Sequence, residues 1–152
     1  MSSKTRTVIS AGLLAVALGL GATAQASAGA PRGVSGRTSD NLTRIADFYG
    51  TYIDAVYDED SGTLGTALRA HYLTPAFQKE LNKWEQREHA DGVLRAQNVP
   101  LAWKVTETGT KAGRTEAVVT LTWSRGVTSK VVVDMNASHK IFHIGAKGAG
   151  GK

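Results

Sequence analysis

Apolar and polar positions alternate with two different periods along this chain, and the change between them divides it. In "NLTRIADFYGTYIDAVYDED", Leu42, Ile45, Ala46, Tyr49, Tyr52, Ile53 and Val56 recur at helical spacing, with Arg44, Asp47, Thr51 and Asp54 opposite. The spacing predicts an amphipathic helix from residue 41, capped by Ser39 or Asp40 and ended by "DEDSG". "TLGTALRAHYL" (63–73) reads as a short second helix. In the third, Thr74 is the cap, Pro75 the first helical residue, Phe77, Leu81 and Trp84 the apolar stripe, and Asp91-Gly92 the end. From Trp103 onward the period is two. Ala117, Val119, Leu121 and Trp123 share one strand face, "SRG" (124–126) is a three-residue hairpin loop, and Val127, Val131, Val133 and Met135 return on the same face. "NASHK" turns again and "IFHIG" (141–145) is a last strand. Three helices followed by three or four antiparallel strands predict an α+β domain, with the N-terminal helices packed on one face of a curved antiparallel sheet.

The first 28 residues change the picture of location. Lys4 and Arg6 precede the apolar run Val8–Ala22, small residues follow in "TAQASAGA", and no acidic residue occurs before Asp40. This is the pattern of a secretory signal peptide, cleaved after Ala26 or Ala28; the run is short and glycine-interrupted for a membrane span. The expected organisation is signal 1–28, polar linker 29–40, one domain 41–147 and a tail 148–152. The product is secreted or extracytoplasmic and not inserted in the membrane. The formal charge of +5 falls to +3 when Lys4 and Arg6 leave, and the remaining basic residues are dispersed, which predicts no nucleic-acid partner. With no cysteine, stability rests on packing, and thiol chemistry is excluded. The Ala- and Gly-rich, cysteine-free composition is that of an exported bacterial protein, which makes "NLT" at Asn41 and "NAS" at Asn136 accidental glycosylation sequons.

The element order, with "FYGTYIDA" (48–55), "HYLTPAF" (71–77) and the loop residues Asp91, Gln97, Asn98 and Pro100, resembles small exported bacterial domains of unknown function with a nuclear-transport-factor-2-like fold, a cystatin-like α+β cone. The resemblance spans residues 40–146. One departure is that "SHKIFHI" has His139 or Ile141 where a closing-strand tryptophan often stands. The wider fold includes isomerases, dehydratases, ligand binders and interaction domains, so fold alone does not choose a function. What the resemblance implies is a cavity between sheet and helices lined by polar aromatics and, in the enzymes, an acid–base pair.

The candidate ligand-binding residues are Tyr49, Tyr52, Gln97, Asn98, Trp103, Trp123 and His143, and for an enzyme His143, Asp134 and Tyr49. Strand alternation sends His143 inward beside Val133, where it could serve as a base. The hairpin register places Asp134 opposite Glu116 on the outer face. Gln97 and Asn98 either tie the loop "DGVLRAQNVP" to its own backbone, partner the buried tyrosines, or point into the cone at a ligand. No HExxH, GxSxG or phosphate-binding loop is present, "DEDSG" lacks the distal Glu of a calcium loop, and neither metal nor cofactor is expected. The expected function is a secreted, non-catalytic binding domain for a small apolar molecule or an envelope or extracellular protein. The alternatives are a cofactor-free isomerase or dehydratase using the cone, and an inhibitor or immunity-type protein acting through its sheet. The outer face carries Val118 and Val132, and such faces pair as homodimers in the resembling fold.

Overall fold

A computed structural model describes residues 33–58 and 63–149. The expected signal peptide and residues 150–152 lie outside these. Three helices come first, α1 (Asn41–Tyr57), α2 (Thr63–Tyr72) and α3 (Pro75–Glu88), then four strands, β1 (Ala102–Lys111), β2 (Arg114–Ser124), β3 (Val127–Met135) and β4 (Ile141–Gly145). The strands form one open antiparallel sheet in the order β1-β2-β3-β4, and the helices pack on one face of it.

Local chemistry sets the helix ends. The Asp40 carboxylate accepts from the Thr43 N–H at 2.8 Å, and Thr74 Oγ1 accepts from the Phe77 N–H with Pro75 at the first turn. His89 ends α3 in the left-handed conformation, φ 53°. Ala112 and Gly113, both at positive φ, form the two-residue turn from β1 to β2, the geometry that matches strand twist. The next hairpin is tighter than expected: Ser124 pairs with Val127, so the turn is Arg125-Gly126, after a register shift between Thr122 and Ser124.

Period-two burial is clearest in β2, where Thr115, Ala117, Val119 and Leu121 are buried and the residues between them are only half-buried. Val131, Val133 and Met135 of β3 and Ile141 and Ile144 of β4 extend this inner face. Ile45, Phe48, Tyr49, Tyr52 and Ile53 of α1, with Leu73, Phe77, Leu81, Val93 and Leu94, close over it. Glu116 lies opposite Asp134, as the hairpin register required.

The first turn of α1 is pinned by Asn41. Its Nδ2 lies within bonding distance of the Gly113 carbonyl (3.1 Å), Thr115 Oγ1 (3.2 Å) and the Asn136 carbonyl (3.3 Å). Its Oδ1 is 2.7 Å from His139 Nδ1, which must therefore carry the proton. One amide thus joins α1 to both turns at that end of the sheet.

Candidate functional site

The space between helices and sheet, where the resemblance implies a ligand cavity, is occupied by large side chains of the chain itself. Tyr49 and Phe48 are fully buried there, and the Phe48 ring sits edge-on to Tyr49 at 5.5 Å. The Tyr49 hydroxyl donates to the Val93 carbonyl at 3.2 Å, and burial pushes its pKa far above the ordinary phenol value.

Tyr52 leads to the main polar cluster of the molecule. Its hydroxyl donates to Asp91 Oδ2 at 2.5 Å and accepts from Arg69 Nε (3.0 Å) and Nη2 (2.6 Å). Arg69 also forks onto Glu85, with Nη2–Oε1 at 2.6 Å and Nη1–Oε2 at 3.0 Å. Asp91 turns its other oxygen to the Val93 and Leu94 N–H groups at 2.8 Å each, and Glu85 accepts the Gly92 N–H at 2.7 Å. A Cβ on Gly92 would stand 2.7 Å from Leu81 Cγ and Cδ1, so a larger residue there would force the buried Leu81 to move. Burial, then the Asp91 charge, raises the Tyr52 pKa. Burial works against the Arg69 charge, but the Glu85 bond and the nearby Tyr52 and Asp91 outweigh it and raise its pKa. Arg69 is the hub, bonded to Tyr52, Glu85 and Asp91, and Tyr52 bonds Asp91 in turn. The cluster joins α1, α2 and α3 to the 91–96 loop.

This answers the question of the loop amides. Gln97 and Asn98 are exposed and partner neither tyrosine. Among the described residues Gln97 Nε2 donates only to the His89 carbonyl, at 3.3 Å. The loop is tied to its backbone by Asp91, Glu85 and the bridge between Asp91 and Ala96. The Asp-Gly step that opens the loop was the available signal, because Asp bonds its own backbone two or three residues on. The role of Arg69, one of the dispersed basic residues, depends on three helices meeting and has no local signature.

His143 does not point inward beside Val133. Between Asp134↔His143 and Met135↔Ile141, β4 carries one extra residue, and Ile144 pairs with Val133 in the core. The bulge reverses the alternation that strand parity predicts. Asp134 is on the outer face as expected but only 5% exposed, because the chain after β4 turns back over it. The Ala149 N–H donates to Asp134 Oδ2 at 2.7 Å, His143 Nε2 lies 2.6 Å from the Lys147 carbonyl, and Gly148 lies against the Glu116 carboxylate. Tyr49 is therefore on the opposite side of the sheet from Asp134 and His143, and the three do not form one acid–base site. Beside the two carboxylates an open groove of about 580 Å³ has Lys111 and Arg114 on its walls. Trp123 is half-buried, with Nε1 donating to Ser129 Oγ at 2.9 Å.

Trp103 also lies outside the interior. It is 38% exposed, and its ring rests on α1 at Gly50, where a Cβ would come within 2.9 Å of Cζ2. The ring stands as a ridge between two surface grooves of about 470 Å³ each. Asp54, Tyr57 and Leu101 line one; Val34, Asp47 and Val105 line the other. Of the six large hydrophobic side chains exposed among the described residues, four gather here: Val34, Tyr57, Leu101 and Trp103. Sequence reasoning placed Trp103 in the cone because strand order, which makes β1 an edge, is not written in its own pattern.

Among the described residues no group of three or more His, Asp or Glu side chains is placed to hold a metal ion, and no helix is long and apolar enough to cross a membrane. No family model matches the chain, and no curated protein matches it. A crystal structure of a protein of unknown function from Bacteroides thetaiotaomicron VPI-5482 is similar in fold, with a TM-score of 0.56 at 17% identity, over 68% of this chain and 87% of that one. At that identity the likeness is one of fold.

Proposed function

We propose that this chain is an exported, non-catalytic binding domain, built as a variant of the nuclear-transport-factor-2-like cone, whose ligand is another extracytoplasmic protein. The observation that carries the reading is the filled interior: Phe48, Tyr49, Leu73, Leu81 and Leu94 occupy the region where a small apolar ligand would sit. Tyr49 and Tyr52, the aromatics that would orient such a ligand, spend their hydroxyls on Val93, Asp91 and Arg69. The clustered apolar exposure around Trp103 supports a protein partner, since soluble domains keep few such patches without a use for them. Export rests on the N-terminal sequence pattern.

Native mass spectrometry of protein purified without denaturation from the cell that makes it tests this. The expected mass is that of the bare polypeptide. A small molecule retained through purification and released on unfolding would overturn the protein-binding reading in favour of a ligand carrier.

A further inference from the structure

Resting on that protein-binding reading, we infer that β1 receives an extended segment of the partner by strand addition, with cationic side chains at the two inward positions that flank Trp103. Among the described residues β1 has a single neighbour, β2, so its far edge offers N–H and C=O groups that none of them pairs. Within β1 only Val105 is even half-buried. The bulge between Glu107 and Gly109 breaks the regular edge at one end, which leaves Ala102–Glu107, the stretch around Trp103, as the template.

Side-chain geometry then describes the guest. A strand added about 4.8 Å beyond β1 turns alternate residues toward α1. There the Trp103 ridge admits a small residue, and the groove on either side admits a long one. Each groove has one acid in its wall, Asp47 or Asp54. Seven residues apart on α1, these are about 10 Å apart along the helix. Inward strand positions i and i+4 are about 13 Å apart, a difference that flexible Lys or Arg stems absorb while lying along Tyr57, Leu101 and Val34. Both acids are exposed, and none of the ion pairs among the described residues uses either. In a chain of net positive charge, two exposed carboxylates on either side of Trp103 make this corner one that favours a cation.

The probe is the peptide acetyl-Thr-Lys-Thr-Ala-Thr-Lys-Thr-amide, whose Lys, Ala and Lys share one strand face. It is titrated into the isotope-labelled full chain and followed by amide chemical shifts and hydrogen exchange. The expected result is slowed exchange at alternate β1 amides between Ala102 and Glu107, weakened by added salt. The double variant Asp47→Lys/Asp54→Lys should bind this peptide about tenfold more weakly and prefer the peptide with Glu in place of Lys. Should the double variant fail to fold, Asp54→Asn, read for a reduced salt dependence, serves instead. Shifts confined to another surface, or an unchanged β1 at millimolar peptide, overturn the inference while leaving the mass measurement to judge protein binding. Concentration-dependent protection of β1 without peptide also overturns it, because a second copy then holds the edge.

Discussion

The two edges of the sheet are treated in opposite ways. β4 is sealed: Leu73 pairs with Ile141, the Thr74 N–H donates to the Ile141 carbonyl at 2.9 Å, and Arg95, stacked 4.2 Å over Trp84, reaches the Ile144 carbonyl. β1 has no such cover among the described residues, and within it only Val105 is even half-buried. Edge strands are a hazard that proteins ordinarily blunt. Among the described residues the chain closes one edge with a helix, a loop and an arginine and leaves the other beside exposed aromatics, the asymmetry on which the proposed strand addition rests. The polar cluster around Arg69 belongs to the sealed side, where it fixes the loop carrying Arg95.

The largest effect that can break this contrast is on Arg69. Arg69→Ala leaves Glu85 and Asp91 partly buried without their counter-charge and should cost about 3 kcal/mol in urea unfolding, whereas Trp103→Ala should cost clearly less. Equal losses would mean that the Trp103 flank is as structural as the other.

Asp40 sharpens the contrast at intermediate size, because it caps the helix beneath the open flank. The backbone N–H of Thr43, then the Thr43 hydroxyl, holds its carboxyl below the usual carboxylate value. A folded-state pKa that is depressed means stability present above the unfolded value of about 3.9 and lost as pH falls through the folded one. Asp40→Ala should therefore cost about 1 kcal/mol at neutral pH, with the gap from the native chain narrowing in unfolding curves at about pH 3.

The smallest effect is Gln97→Leu. With its side chain in solvent and one long bond to His89, the change in unfolding free energy should stay within about 0.5 kcal/mol. A loss several times larger would return the amides to the centre of the loop's anchoring.

What could be read from sequence follows from what is local. Thr74-Pro75, the α1 stripe and the period-two runs of β2 and β3 each carry their own signal; the expected pairing of Glu116 with Asp134 holds because the register shift between Thr122 and Ser124 offsets the shorter turn. The errors came where one residue or one distant partner decides. The extra residue in β4 leaves no compositional trace, since Phe142 and His143 are both tolerated at a half-buried edge. Arg69, Glu85 and Asp91 meet only after α2, α3 and the loop have packed, so their pairing could not be seen along the chain.

Asn41 carries a consequence for how the protein can be made. A glycosylating secretory pathway modifies Asn-X-Thr at the side-chain nitrogen. In the folded chain that nitrogen faces Gly113, Thr115 and Asn136 from a buried position. A sugar added during synthesis would claim the atom that fastens α1 to the sheet, so in such a host the modified product and the native fold exclude one another.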